Sequence, residues 1–269
     1  MSAPALPRSK PLIPHLPDGA AVKLIGLGGV GNIVARYGAL FLASLGSEVR
    51  LVLIDGDSFE PSNASRMFFG ACGKKATVTR DELLPRFAES SLSLVAIAEY
   101  MTADNIGRLV QEGDLVILTV DNHATRKLVN EHCAGLGDVC LISGGNDGVG
   151  TDGSGIVRRG TFGNVQAYVR RDGLDVTPPL THRHPEIQTP ADHLPTDLSC
   201  TELVAAVPQV LFANLAVASA ILNTLWLYLC GALHYGELGF DIAEGLMRPT
   251  AALPQCCGLP RSDKGRRFG

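Results

Sequence analysis

Residues 21–31 run Ala-Val-Lys-Leu-Ile-Gly-Leu-Gly-Gly-Val-Gly. The first five, Ala21 to Ile25, form a short apolar strand candidate. The next six, Gly26 to Gly31, have the spacing G-x-G-x-x-G. Asn32 to Leu45 then places apolar residues at helical intervals, and Gly46 stops the run. A strand that turns through glycines straight into a helix brings backbone N–H groups and the positive end of a helix dipole to one point, where a phosphate is favoured. Gly26, Gly28, Gly29 and Gly31 are therefore candidate nucleotide contacts. The motif itself does not say which nucleotide.

Working outward, the same alternation continues. Val49 to Ile54 is apolar in character except for Arg50, as expected of a parallel strand covered on both faces. Leu92 to Ile97, Asp114 to Thr119 and Val139 to Ser143 read as further strands. Ala103 to Gln111 and Ala124 to Leu136 read as helices between them. This βαβ order predicts a doubly wound, Rossmann-like, mainly parallel α/β sheet. The pattern then changes. Gly163 to Val169 alternates like an antiparallel strand, residues 172–199 carry prolines and three histidines and read as a long loop, and a long apolar helix follows. The expected organisation is an N-terminal arm over 1–20, one α/β domain over 21–246 with the 172–199 segment crossing it, and a C-terminal tail over 247–269.

Composition narrows the function. The 269 residues are 46% hydrophobic and 19% charged, with Lys plus Arg 23 against Asp plus Glu 27, a net charge of -4. That is globular rather than disordered, and it lacks the basic excess of a nucleic-acid binder. Seven cysteines include no C-x-x-C pair, which argues against a disulfide framework or a zinc ribbon. With a Pro-rich N-terminus that does not read as a signal peptide, the expected compartment is the cytoplasm. The apolar stretch Leu203 to Leu233 is interrupted by Pro208, Gln209, Asn214, Ser219, Asn223 and Thr224, so it reads as a buried or interface helix and not a membrane span.

The residues past the strand ends carry the discriminating chemistry. Asp55 ends the second strand, where a carboxylate can accept from ribose hydroxyls. Asp55-Gly-Asp57 is followed by Asn63-Ala-Ser-Arg66 and then by Gly73-Lys74-Lys75-Ala76. A dehydrogenase has no need for an Asn, an Arg and a Lys converging there, whereas a triphosphate does, because cations offset the charge that develops on a leaving pyrophosphate. Thr119-Val-Asp121-Asn122 follows the fourth strand and leads into Ala124-Thr-Arg126. Asp121 faces the same crevice as Asp55 and is a natural Mg²⁺ ligand, a role it could combine with capping the next helix.

The ordered set GLGGVG, DGDxxxxxNxxR, GKKA and TVDNHATR resembles the ThiF/MoeB/ubiquitin-activating superfamily. More narrowly, it resembles the ThiF-family members of plasmid-associated PRTRC cassettes. The resemblance covers roughly Val22 to Tyr235. It implies ATP with Mg²⁺, adenylation of the C-terminal carboxylate of a ubiquitin-like or sulfur-carrier protein, and a homodimer. It places Asp55 on the ribose, Asn63 and Arg66 near the phosphates, Lys75 on the phosphates and Asp121 near Mg²⁺. The segment between Arg66 and Lys75 is shorter than is typical, so Lys74 competes with Lys75 for the lysine role. Cys200 lies where some members carry a cysteine that takes the acyl group or a persulfide. Two departures stand out. The paired C-x-x-C zinc motifs of many relatives are replaced by Cys256-Cys257 alone, with His182, His184 and His193 the other zinc candidates, so zinc is not expected. Arg8 is the one arginine before the first strand, and its context does not match the arm that reaches a partner's nucleotide. The other function classes are an NAD(P)-dependent oxidoreductase, a non-catalytic adaptor on the same fold, and adenylation of a small molecule or a tRNA base.

Overall fold

The computed structural model describes residues 11–16, 19–65, 67–151, 155, 157–197 and 209–251. Its centre is a sheet of nine strands. The first half follows the alternation expected from the sequence. Strand β1 (Ala20–Ile25) leads to helix α1 (Gly29–Ser44) and strand β2 (Val49–Ile54). A short pair, β3 (Ser58–Phe59) with β4 (Gly73–Lys74), precedes helix α2 (Lys75–Phe87) and strand β5 (Leu92–Ile97). Helix α3 (Ile106–Leu109), strand β6 (Leu115–Leu118), helix α4 (His123–Ala134) and strand β7 (Val139–Asn146) complete the parallel part. Strands β8 (Val149–Thr151) and β9 (Val157–Arg159) form a separate hairpin.

The antiparallel extension is larger than the sequence suggested. Strand β10 (Phe162–Arg171) runs against β7, and β11 (Leu174–Asp175) folds back on it. Helix α5 (Leu211–Leu229) follows, then β12 (Tyr235–Asp241) and β13 (Leu246–Ala251). The expected tail from Met247 thus begins inside a strand paired to β12, and the long helix is not the last element. Helix α2 was not anticipated. Helix α3 is shorter than its expected span, and α5 covers Leu211–Leu229, the part of the apolar stretch that follows Pro208, as expected. The 172–199 segment holds short 3₁₀ turns at Leu180–His182 and Pro185–Ile187.

The strand order is β13-β12-β10-β7-β6-β1-β2-β5. From β1 the chain winds one way through β2 to β5, then crosses back to place β6 on the other side of β1. The point between β1 and β6 is where the winding reverses, and in open α/β sheets the ligand crevice opens there, outside the carboxyl ends of the strands.

The parallel strands are apolar on both faces because both are covered. Leu24, Leu51, Leu53, Ile117 and Ile142 pack with Val34 and Leu42 of α1, Leu83 of α2, and Val217, Ile221 and Leu225 of α5. Their neighbours Ile25, Val52, Ile54, Val116 and Leu141 turn to the other face and pack with Ile106 of α3, Val129 and Cys133 of α4, and Leu180 and Ile187 of the crossing segment. Helix α5 is long and apolar enough to cross a membrane by length and composition. Here it is a core helix, with Ala213, Val217, Ala218, Ala220, Ile221 and Leu225 buried against α1 and the sheet.

Candidate nucleotide site

Three neighbouring strands deliver the candidate residues to one edge. The glycine turn leaves β1, Asp55 leaves β2 and Asp121 lies just past β6. The turn is tightly built. Gly26 has φ +90, a conformation that favours glycine, and its N–H donates to the Ile54 carbonyl at 2.9 Å. A methyl on Gly31 would collide with the Gly26 carbonyl and come within 2.6 Å of Thr119 Oγ1. That hydroxyl donates to the Gly26 carbonyl at 2.7 Å. Gly28, the N-cap of α1, offers no side-chain cap to the helix N–H groups, and a Cβ there would meet nothing within 4 Å. The turn therefore has an open approach at Gly28 and a closed back at Gly31. The residues fit a phosphate at the start of α1.

Asp55 is tied to the same turn. Its carboxylate accepts from the Leu27 N–H at 2.5 Å and from the Asp57 N–H at 2.7 Å. A carboxylate has about four acceptor sites, so two remain for ribose hydroxyls. Burial raises its pKa above the usual carboxylate range, opposed by the nearby Lys75 ammonium and the Leu27 N–H.

Asp57 and the two lysines converge beside it. Lys75, the first residue of α2, is only 8% exposed, and its Nζ lies 3.0 Å from Asp57 Oδ2. Lys74 Nζ instead donates to the Gly56 carbonyl at 2.6 Å. Tyr100, past the end of β5, donates its hydroxyl to Asp57 Oδ1. Burial alone would raise the Asp57 pKa, but Lys75 and the Tyr100 hydroxyl outweigh it and hold the carboxyl below its ordinary value. Lys75 is buried and Lys74 exposed, which puts Lys75 deeper in the crevice. Asn63 sits in a 3₁₀ turn, Pro61–Ser65, and accepts from the Glu60 N–H at 3.1 Å. Arg66, Cys200, Arg8, Cys256 and Cys257 lie outside the described residues.

Asp121 is exposed at the mouth of the crevice. It does not cap α4. Asn122 does so, accepting from the Thr125 N–H at 2.8 Å, while Asp192 of the crossing segment accepts from the N–H groups of His123 and Ala124, each at 2.8 Å. Both capping duties are met by other residues, which leaves Asp121 free for a ligand. Mg²⁺ commonly takes one or two protein carboxylates with phosphates and waters, so one exposed carboxylate beside a phosphate site fits it. Among the described residues no group of three or more His, Cys, Asp or Glu side chains is placed to hold a metal by itself. His184 is engaged otherwise, between Glu237 (2.7 Å) and Glu186 (2.8 Å).

Some supporting residues carried no clear sequence signal. Arg126, buried beneath Asp121, donates to Ser143 Oγ at 2.5 Å and to the carbonyls of Val120 at 2.7 Å and Gly144 at 3.1 Å. Arg36 of α1 donates to the Phe68 carbonyl at 2.7 Å and pairs with Glu82 of α2 at 2.5 Å, and Glu82 accepts from the Gly70 N–H. This clamp fixes the stretch that follows Arg66. Arg126 lies inside the TVDNHATR stretch, but Arg36, Glu82, Tyr100 and Asp192 are brought in by tertiary contacts alone.

With this geometry in hand, the comparisons with known proteins define the class. The ThiF family matches residues 18–208, and the chain belongs to that family. Among individual proteins, it is 31% identical over 137 residues to the ubiquitin-like modifier-activating enzyme 5 of Dictyostelium discoideum, covering 46% of this chain and 35% of that protein. It is 34% identical over 116 residues to the adenylyltransferase and sulfurtransferase MOCS3 of Sus scrofa, covering 42% of this chain and 24% of that protein. The match thus spans about a third or less of those two relatives. The crystal structure of E. coli MccB with AMPCPP and selenomethionine MccA superposes with a TM-score of 0.61 at 19% identity, over 88% of this chain and 66% of that one. At that identity the likeness concerns the fold, which is the α/β architecture described above.

Proposed function

We propose that this chain is an ATP-dependent adenylating enzyme that acts on the C-terminal carboxylate of a ubiquitin-like or sulfur-carrier protein. The observation that carries the reading is the convergence of the glycine turn, Asp55, the Lys75–Asp57 pair and an uncommitted Asp121 at the ends of three adjacent strands. The family membership and the relatives' names point the same way. A nicotinamide dinucleotide would use the turn and Asp55 but would leave Lys75 and Asp121 without a task.

In this reading a carboxylate oxygen of the partner attacks the α-phosphate of ATP, an acyl-adenylate forms and pyrophosphate leaves. The glycine turn and the α1 N-terminus hold phosphate, and Asp55 accepts from the ribose. Lys75, released from Asp57, and Arg66 offset charge on the departing pyrophosphate. Asp121 holds Mg²⁺. No general base is needed, because the attacking carboxylate is ionised at neutral pH. Positioning and electrostatics supply the acceleration. Transfer to Cys200, the closer kinship to PRTRC-cassette members and a cytoplasmic location belong to the same proposal. So does a homodimer, which the exposed apolar residues Leu211, Phe212 and Leu215 of α5 and Tyr37 and Leu40 of the adjoining α1 support.

The test is calorimetric titration of ATP with Mg²⁺ and, separately, NAD⁺ into the wild type and Asp121→Ala. The expected outcome is binding of ATP but not NAD⁺, with the Mg²⁺-dependent part of the affinity lost in the variant. Binding of NAD⁺ in preference to ATP would overturn the proposal.

A further inference from the structure

Helix α5 carries a side chain that the fold alone does not explain. Asn214 is completely buried, and neither its Nδ2 nor its Oδ1 has a hydrogen-bond partner. Its neighbours along the inward face are Ala213, Val217 and Ala218. Burying a carboxamide without partners is unfavourable, and an apolar residue of similar size would avoid that penalty. The amide lies against Gly29, the first residue of α1. A methyl group on Gly29 would strike Asn214 Nδ2 and would stand 3.2 Å from Gln209 Oε1. The glycine at 29 therefore makes room for this amide beside the turn.

A second amide nearby is paired on one side only. Asn32, in the first turn of α1, is 2% exposed, and its Nδ2 has no partner, although its Oδ1 accepts from Arg36 Nε at 3.2 Å. Asn32 lies within one turn of Gly28 and Gly29 along α1. The start of α1 thus has an unpaired amide nitrogen of its own and the unpaired Asn214 amide of α5 beside it, in addition to backbone N–H groups that no side chain caps.

We infer that Asn214 is a phosphate-binding residue: its Nδ2 donates to a phosphate oxygen of the nucleotide held at the start of α1. The inference rests on the adenylation reading and deepens it, because it adds to the phosphate site a residue from the far side of the fold. It also makes α5 a wall of the nucleotide site as well as a core helix. A phosphate completes the hydrogen bonding that the protein alone leaves unmade.

The experiment compares the wild type with Asn214→Ala by thermal melting and by titration with Mg²⁺·ATP and with adenosine. Adenosine presents the base and ribose without phosphate. The expected result is a melting temperature at or above that of the wild type, ATP affinity about ten- to a hundredfold weaker, as for a lost hydrogen bond to a charged group, and unchanged adenosine affinity. Asn214→Asp, which keeps the shape but places a carboxylate against phosphate, should weaken ATP further. If Asn214→Ala binds ATP as the wild type does, or loses ATP and adenosine in equal proportion, the inference is overturned while the adenylation reading stands. If the wild type itself binds no ATP, the adenylation reading fails first and takes the inference with it.

Discussion

Replacing Arg126 by methionine tests how the Asp121 loop is held. Arg126 is 9% exposed, and its guanidinium donates to one hydroxyl and two carbonyls, at 2.5, 2.7 and 3.1 Å. Hydrogen bonds from a charged donor contribute about 1.5–3 kcal/mol each. Their sum overstates the effect, because the cation is costly to bury. Desolvation, only partly relieved by Asp121 and Asp192, pulls its pKa down to about 10, which offsets roughly 3 kcal/mol. Methionine fills much of the same volume but leaves the Val120 and Gly144 carbonyls and the Ser143 hydroxyl without this donor. The net loss expected is about 2–4 kcal/mol. For a chain of this size that lowers Tm by about 5–15 °C. A second effect separates positioning from bulk stability. The Val120 carbonyl precedes Asp121, so loosening it should weaken Mg²⁺-dependent ATP binding about tenfold while Mg²⁺-free nucleotide binding changes little. Arg126→Lys keeps the charge but not the forked geometry and should fall between the two. A methionine variant that melts within about 2 °C of the wild type and binds Mg²⁺·ATP normally would refute the reasoning.

Three further outcomes follow from the geometry. Gly31→Ala should destabilise the fold by about 1–3 kcal/mol, since its methyl meets backbone at Gly26 that cannot yield; Gly28→Ala, facing open space, should melt like the wild type yet bind ATP more weakly, and thermal melts paired with titrations check both. At His184, hydrogen bonding to Glu237, opposed by burial and aided by Glu186, raises the pKa above 6.5, while Glu237 and Glu186 are held below 4.5. A raised histidine contributes fully below pH 6.5 and is lost as pH rises through its folded value, and the lowered carboxylates contribute above 4.5 and are lost on acidification. The wild type should therefore lose more stability than His184→Gln between pH 6 and pH 9, and urea unfolding across that range with equal losses would argue against the pairing.

The parts of the fold that could be read from sequence are those with a dense apolar pattern. Val49–Ile54 is apolar except for Arg50 and Leu92–Ile97 except for Ser93, and they form β2 and β5 with the expected ends. Helix α2 escaped because its segment is polar and contains Pro85, yet its buried residues Ala76, Thr79, Leu83 and Phe87 are spaced at three and four, which was a usable signal. Strand β13 offered none. Every residue in it is exposed, and it includes Pro249, a residue tolerated in an edge strand. The site divides in the same way. Residues set at fixed offsets from a strand end, such as Asp55, Lys75 and Asp121, could be named from the motif. Asn214 could not, because its relation to Gly29 exists only once α5 packs on α1.

The bond from Thr119 to the glycine turn has a consequence for the order of folding. Thr119 N–H donates to the Ile25 carbonyl and its hydroxyl to Gly26, although more than ninety residues separate these positions. Strand β1 likewise finds β6 only across that distance, whereas β2 pairs with β1 much sooner along the chain. Contacts so remote in sequence carry the largest loop-closure cost and form slowly. The turn at Gly26–Gly31 therefore gains its final shape only after the chain has returned to lay β6 beside β1. Capture of nucleotide during refolding should lag behind the appearance of helix and strand, and it would report completion of the central sheet.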